Sequence, residues 1–155
     1  MFCRAVVAIL AIAVGILVLT QFAGGPEAAD DDGRTLIELS AAEVAFIRKE
    51  MRGLLESVQD MLEAAADGDR ERLVAAARRA GMNGPERDHI PVRLAVKLPM
   101  EFKKLGLRTH RAFDAIAAEA PERDLSAFVA KRLGETMTNC TACHATYGIK
   151  AASAK

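Results

Sequence analysis

The chain has 155 residues, with 21 Lys and Arg against 21 Asp and Glu, three His, three Cys and no Trp. That length suits one small domain, and zero net charge lacks the basic surplus a nucleic-acid binder needs to displace counterions from phosphate. With 27% charged and 51% hydrophobic residues it is not a disordered tail either. Aromatic residues make up only 5% of the chain, and alanine, the best helix former, dominates it. The composition predicts an all-α fold, with a helical bundle as its architecture.

Met1, Phe2, Cys3 and Arg4 precede Ala5 to Leu19, a run without a polar side chain, and Thr20, Gln21, Phe22 and Ala23 follow it. Residues 1–23 are therefore a signal peptide or a membrane anchor. The run lies between the length of a signal core and the roughly 20 residues of a membrane span. Pro26 directly after the best cleavage site, Ala23-Gly24-Gly25, favours an uncleaved anchor. Arg4 lies before the run, while Glu27, Asp30, Asp31 and Asp32 lie after it. The positive-inside rule then leaves the N-terminus in the cytoplasm and puts the folded part on the periplasmic side of the inner membrane. Cys3 is too near the start for a lipoprotein cysteine and receives no role.

Residues 24–35 read as a linker, Gly-Gly-Pro and then an acidic cluster, and the folded part begins near Leu36. Ser40-Ala41-Ala42-Glu43 fits a capping box, with Leu39 and Val44 as its hydrophobic staple. Val44, Ile47, Met51, Leu54, Leu55, Val58, Met61, Leu62 and Ala65 then recur at three and four, which puts them on one helical face. Asp67-Gly68-Asp69 ends this helix and caps a second, which carries Leu73, Val74, Ala77 and Ala80 and stops at Gly81. Met82 to Asp88 reads as a loop. Residues 92–98 alternate apolar and polar and fit either a strand or a short helix. Pro99 opens a third long helix with the stripe Phe102, Leu105, Thr109, Phe113 and Ile116, and Pro121 lies beyond its end. A fourth, from about Glu122 to Tyr147, carries Leu125, Phe128, Val129, Leu133, Met137 and Cys140.

That last line leads into Cys140-Thr141-Ala142-Cys143-His144, the C-x-x-C-H pattern of covalent c-type haem attachment. Residues three and four apart share a helical face, so both thiols can form thioethers to the haem vinyl groups while the imidazole reaches the iron. Such attachment takes place outside the cytoplasm, in agreement with the export segment. A zinc site would need a second pair of ligands, and only His89 and His110 remain, neither near in sequence. A redox dithiol normally opens a helix after a strand, and no strand is read before Cys140.

Four helices with C-x-x-C-H on the last, and Tyr147 three residues after His144, resemble the class II cytochromes c, the cytochrome c′ family. The resemblance covers residues 36–149, followed by a tail, 150–155. It implies an antiparallel four-helix bundle holding one covalent haem c, with Cys140 and Cys143 as anchors and His144 as proximal iron ligand. The chain departs from the family in having Gly148 and Ile149, not a basic residue, directly after the tyrosine.

In that family the sixth iron position faces the first turns of the first helix, and in low-spin members it is held by methionine. Met51 takes this place, on the face of Ile47, Leu54 and Leu55. By periodicity alone it would be a packing methionine; the family position makes it the candidate distal ligand. Met61 and Met137 read as packing residues, and Met100 is a weaker ligand candidate. His110 is the runner-up, one residue off its helical stripe and so surface-placed or partly buried, and His89 is solvated. Arg70-Glu71-Arg72, Arg78-Arg79 and Lys103-Lys104 read as solvated helix faces or as docking patches for a redox partner.

The expected function is electron transfer by a periplasmic monohaem c-type cytochrome with no enzymatic activity of its own. The alternatives are a five-coordinate protein that binds nitric oxide or carbon monoxide, and a haem subunit of a larger oxidoreductase. Redox proteins are the expected partners, and a homodimer, as in many relatives, is open.

Overall fold

The computed structural model describes residues 9–10, 12–15, 31–84 and 90–152. The expectations for Cys3, Arg4, His89 and most of the segment 1–23 lie outside them. Among the described residues no helix is long and apolar enough to cross a membrane.

Strand β1, Thr35–Leu39, leads into α1, Ala41–Asp67. The capping box forms as the sequence predicts: Ser40 Oγ accepts from the backbone N–H of Glu43, and the Glu43 carboxylate accepts from the Ser40 N–H at 2.8 Å. Gly68, at φ 70°, takes the left-handed position that ends α1, and its N–H reaches the carbonyls of Ala64 and Ala65. Asp69 then caps α2, Arg70–Ala80, through its side chain and the Arg72 N–H. The ambiguous segment contains a short helix, α3, Val92–Ala95, and not a strand. Helix α4, Met100–Glu119, and helix α5, Leu125–Thr146, complete the helical part. Among the described residues the fold is mostly helical.

One feature departs from the all-α expectation. After α5 the chain turns extended at Tyr147 and forms β2, Tyr147–Ala151, parallel to β1, with Thr35 opposite Tyr147 and Leu39 opposite Ala151. The fourth helix thus ends before Tyr147, the linker ends before Thr35, and the first two residues of the expected tail belong to the strand. The pairing is driven by burial. Ile37 and Leu39 sit at alternate positions of β1 and are 5% and 0% exposed, while Glu38 between them faces out.

The long helices make a closed ring of contacts, α1 on α2, α2 on α4, α4 on α5 and α5 back on α1. Two buried clusters stabilise it. The larger joins Met61, Leu73, Phe113, Ile116, Val129 and Leu133 with a lining of alanines; the smaller joins Ile37, Leu39, Val44, Ile47, Leu94 and Leu98, with Phe102 and Tyr147 against it. The alanine-rich faces of α1 and α2 allow close packing: Ala64, Ala76 and Ala77 are at most 1% exposed.

Glu43 ties α3 to the start of α1. Its carboxylate accepts from Lys97 Nζ at 2.8 and 2.9 Å and from both the backbone and hydroxyl of Ser40. The ammonium of Lys97, and after it the Ser40 backbone N–H, hold the Glu43 carboxyl down from its ordinary value of 4.5 to about 2. The sign follows by linkage: a carboxyl more acidic when folded adds stability above pH 4.5, and loses that stability as pH falls from 4.5 towards 2. The unfolding midpoint of the protein should therefore drop across this window, and Glu43→Gln should be less stable at neutral pH and flatter through it. Equal acid sensitivity of the two proteins in thermal melts would show that the contact contributes nothing.

Candidate functional site

The C-x-x-C-H residues lie on the last two turns of α5, the helix whose buried face runs Leu125, Val129, Leu133 and Thr136. Beyond Thr136 the burial stops. Met137 is 48% exposed, and from there to Thr146 only Asn139, Cys140 and Cys143 are partly covered. Met137 is therefore not the packing residue its stripe position suggested. Cys140 and Cys143 are free thiols. Burial pushes both above the usual thiol range, Cys143 also through the neighbouring Cys140, so both stay protonated. His144, one residue further, is exposed.

Two contacts fix what faces this segment. At one end Ser126 Oγ of α5 donates to the Ala65 carbonyl of α1 at 3.0 Å. At the other, β1 before α1 pairs with β2 after α5. The two helices therefore run antiparallel. Met51 and Cys140 each lie fourteen residues along their helix from the Ser126–Ala65 bond, a rise of about 21 Å. Met51 and Cys140 thus share one level of the fold. Phe102 of α4 meets Tyr147 edge-on, with ring centroids 5.5 Å apart, which sets the start of α4 beside the end of α5.

This level belongs to neither buried cluster. Ile47 is 7% exposed, but Met51 is 41% and Leu55 68% exposed. The expectation that Met51 points inward with Ile47, Leu54 and Leu55 holds for Ile47 and partly for Leu54, which packs against the larger cluster. It fails for Leu55. A stripe spaced at three and four drifts around the helix over several turns, and the neighbours of α1 change along its length. Glycine occurs here in both facing helices: a Cβ at Gly53 of α1 or Gly106 of α4 would meet no heavy atom within 4 Å.

His110 is not at the surface. It is 9% exposed, and its Nδ1 lies 2.7 Å from the Ala80 carbonyl. A carbonyl can only accept, so Nδ1 carries the proton in that bond. Its position next to the Thr109–Phe113 stripe becomes interior because the end of α2 packs against α4 there. With Lys49, Glu50, Gly53, Leu54 and Arg79 it lines a cavity of about 370 Å³. None of Cys140, Cys143 and His144 lines that cavity. Ser57, one turn after Gly53, is fully buried with no hydrogen-bond partner for its hydroxyl, and no sequence signal marks it. Met61 is fully buried packing, as expected, whereas Met100 is 61% exposed.

No family model matches the chain, and no curated protein or solved structure matches it.

The charged segments are mostly paired. Arg72 contacts Glu63 at 2.6 Å and Asp67 at 3.5 Å, Arg79 pairs with Asp60, and Lys104 lies 2.6 Å from Glu101. Among the described residues no three His, Cys, Asp or Glu side chains gather as a metal cage. Haem c does not need one, since its iron is brought by the porphyrin and takes one imidazole from the motif. The donor set fits the group: two protonated thiols three residues apart and an accessible imidazole at the next position. Met137, one turn before Cys140 on α5, is an exposed apolar side chain, as are Met51 and Leu55 on α1.

Proposed function

We infer that the protein is a periplasmic monohaem c-type cytochrome built as a four-helix bundle and anchored to the inner membrane through residues 1–23. Cys140 and Cys143 carry haem c as thioethers, His144 is the proximal iron ligand and Met51 the distal one. The observation that carries this reading is the C-x-x-C-H segment on the uncovered end of α5, level with Met51 and between two separate core clusters. Haem supplies a one-electron ferric/ferrous couple when bound. Cys140 and Cys143 would hold it on α5, His144 and Met51 would bind its iron, and the exposed apolar side chains of α1 and α5 would cover it from water. Electron transfer to and from redox proteins is the function that follows, because two protein ligands allow the couple to turn over with little rearrangement.

Met51 is 41% exposed, and that favours a second reading in which the sixth position stays open to nitric oxide or carbon monoxide. Optical spectra of the holoprotein decide between the two. The native protein should show low-spin bands and a sulfur-to-iron charge-transfer band in the ferric form, and Met51→Ala should abolish that band and bind carbon monoxide readily once reduced. A native protein that is high-spin, takes up carbon monoxide and is indifferent to the substitution would establish the gas-binding reading.

A further inference from the structure

The end of the fold that carries β1 and β2 exposes an aliphatic patch that no core residue covers. Val92 and Val96, one turn apart on and just after α3, are 80% and 75% exposed, and Met100 is 61% and Ile90 39% exposed. The other side of this segment is buried: Leu94 and Leu98, 0% and 3% exposed, pack on Ile37, Leu39 and Val44. The segment is thus amphipathic, clamped to the fold by one face and by the Lys97–Glu43 pair, with the opposite face presented to the surroundings. Around the patch lie Arg93, Lys97, Lys103 and Lys104, and the carboxylates there, Glu43 and Glu101, are already paired with Lys97 and Lys104.

We propose that Ile90, Val92, Val96 and Met100 with their flanking Arg and Lys side chains form a surface that rests on the anionic lipid bilayer from which the domain is tethered. The proposal rests on the anchor reading of residues 1–23. Chain length supports it: eleven residues separate Ala23 from Thr35, a reach of about 40 Å when fully extended. The β1 end therefore stays within that reach of the bilayer, while the Gly68 end is a helix length of about 40 Å from the point of attachment. Charge supports it too, since basic side chains beside aliphatic ones match a surface of acidic headgroups over hydrocarbon. The patch residues Ile90, Val92, Val96 and Met100 include no Trp, Tyr or Phe of the kind that anchors protein interfaces. With Lys97 and Lys104 paired to Glu43 and Glu101, Arg93 is the basic side chain placed to spread its apolar stem along the bilayer while its charge meets the headgroups.

The test uses the full-length holoprotein in nanodiscs of phosphatidylglycerol or of phosphatidylcholine, with hydrogen exchange followed by mass spectrometry. Peptides spanning residues 90–104 should exchange about threefold or more slowly in the anionic discs, and those around Gly68 and Asp124 should not change. Val92→Asp with Val96→Asp, at exposed positions that the fold tolerates, should remove the difference. Equal exchange in both lipids by a disc-inserted chain overturns the docking surface and leaves the anchor intact. A purified chain whose mass lacks residues 1–23 overturns the anchor reading, and the proposal with it. Protection that appears only when a redox protein is added also overturns the proposal and assigns the patch to that protein.

Discussion

Cys140→Ala combined with Cys143→Ala is expected to abolish covalent haem on a chain produced with the haem-attachment machinery, while leaving its helical content unchanged. Each thioether adds one thiol across one vinyl group, so the single substitutions should each leave haem held by one bond, and the double substitution none. Both thiols are only partly buried and sit near the end of α5, beyond its last buried position, Thr136. Their loss removes little packing, and circular dichroism should not change. The readout is the mass of the denatured chain, together with the colour that remains on it after acid extraction of free haem. His144→Ala should behave differently: both thioethers form, but the iron loses its proximal imidazole and the spectrum its low-spin character. A native chain that carries no haem under these conditions would end the cytochrome reading and leave a helical protein with two protonated, partly buried cysteines.

Phe113→Ala should have the largest effect on stability of any single truncation. Phe113 is 2% exposed and belongs to the larger cluster, among the buried side chains of α1, α2 and α5. Removing a buried phenyl ring costs its transfer free energy and leaves a cavity the helices cannot fully close, about 3–5 kcal/mol. Against a typical stability of about 5–15 kcal/mol this is a large fraction, and it corresponds to roughly 6–20 °C in melting temperature for a chain of this size. Val96→Ala, at a position 75% exposed, should change stability by less than about 0.5 kcal/mol. Urea unfolding of the native and variant holoproteins measures both. A Phe113→Ala loss below about 1 kcal/mol would mean that the larger cluster is not what holds the helices together. On the Met51-ligated reading proposed above, the same substitution should also weaken the sulfur-to-iron band, because the cluster sets the height of α1 against α5, where Ser126 bonds the Ala65 carbonyl.

Much of the local structure was legible in the residues. Ser40 and Glu43 announce the start of α1, Gly68 its end and Asp69 the cap of α2, because each of these devices closes a hydrogen bond within four residues. The spacing of Cys140, Cys143 and His144 is likewise a local matter, and the helix puts them on one face. His110 lies deeper than its flank position implies: a surface or partly buried place was expected, yet it is 9% exposed, and the carbonyl that accepts its N–H belongs to Ala80, thirty residues earlier in the chain. Met51 was expected to point into the bundle with Ile47, yet it is 41% exposed, because the neighbours of α1 change along its length.

The amino-acid sequence by itself determined the long helices, the caps of the first two, the apolar run Ala5–Leu19 and the C-x-x-C-H spacing, since all of these depend on neighbours within a few positions. Only the tertiary structure decided that Thr35–Leu39 and Tyr147–Ala151 pair, that the core divides into two clusters, and that the Met51 and Cys140 level lies between them. Those features arise where segments tens of residues apart in the chain, and for the two strands more than a hundred, compete for the same buried surface, and no local pattern records which of them wins.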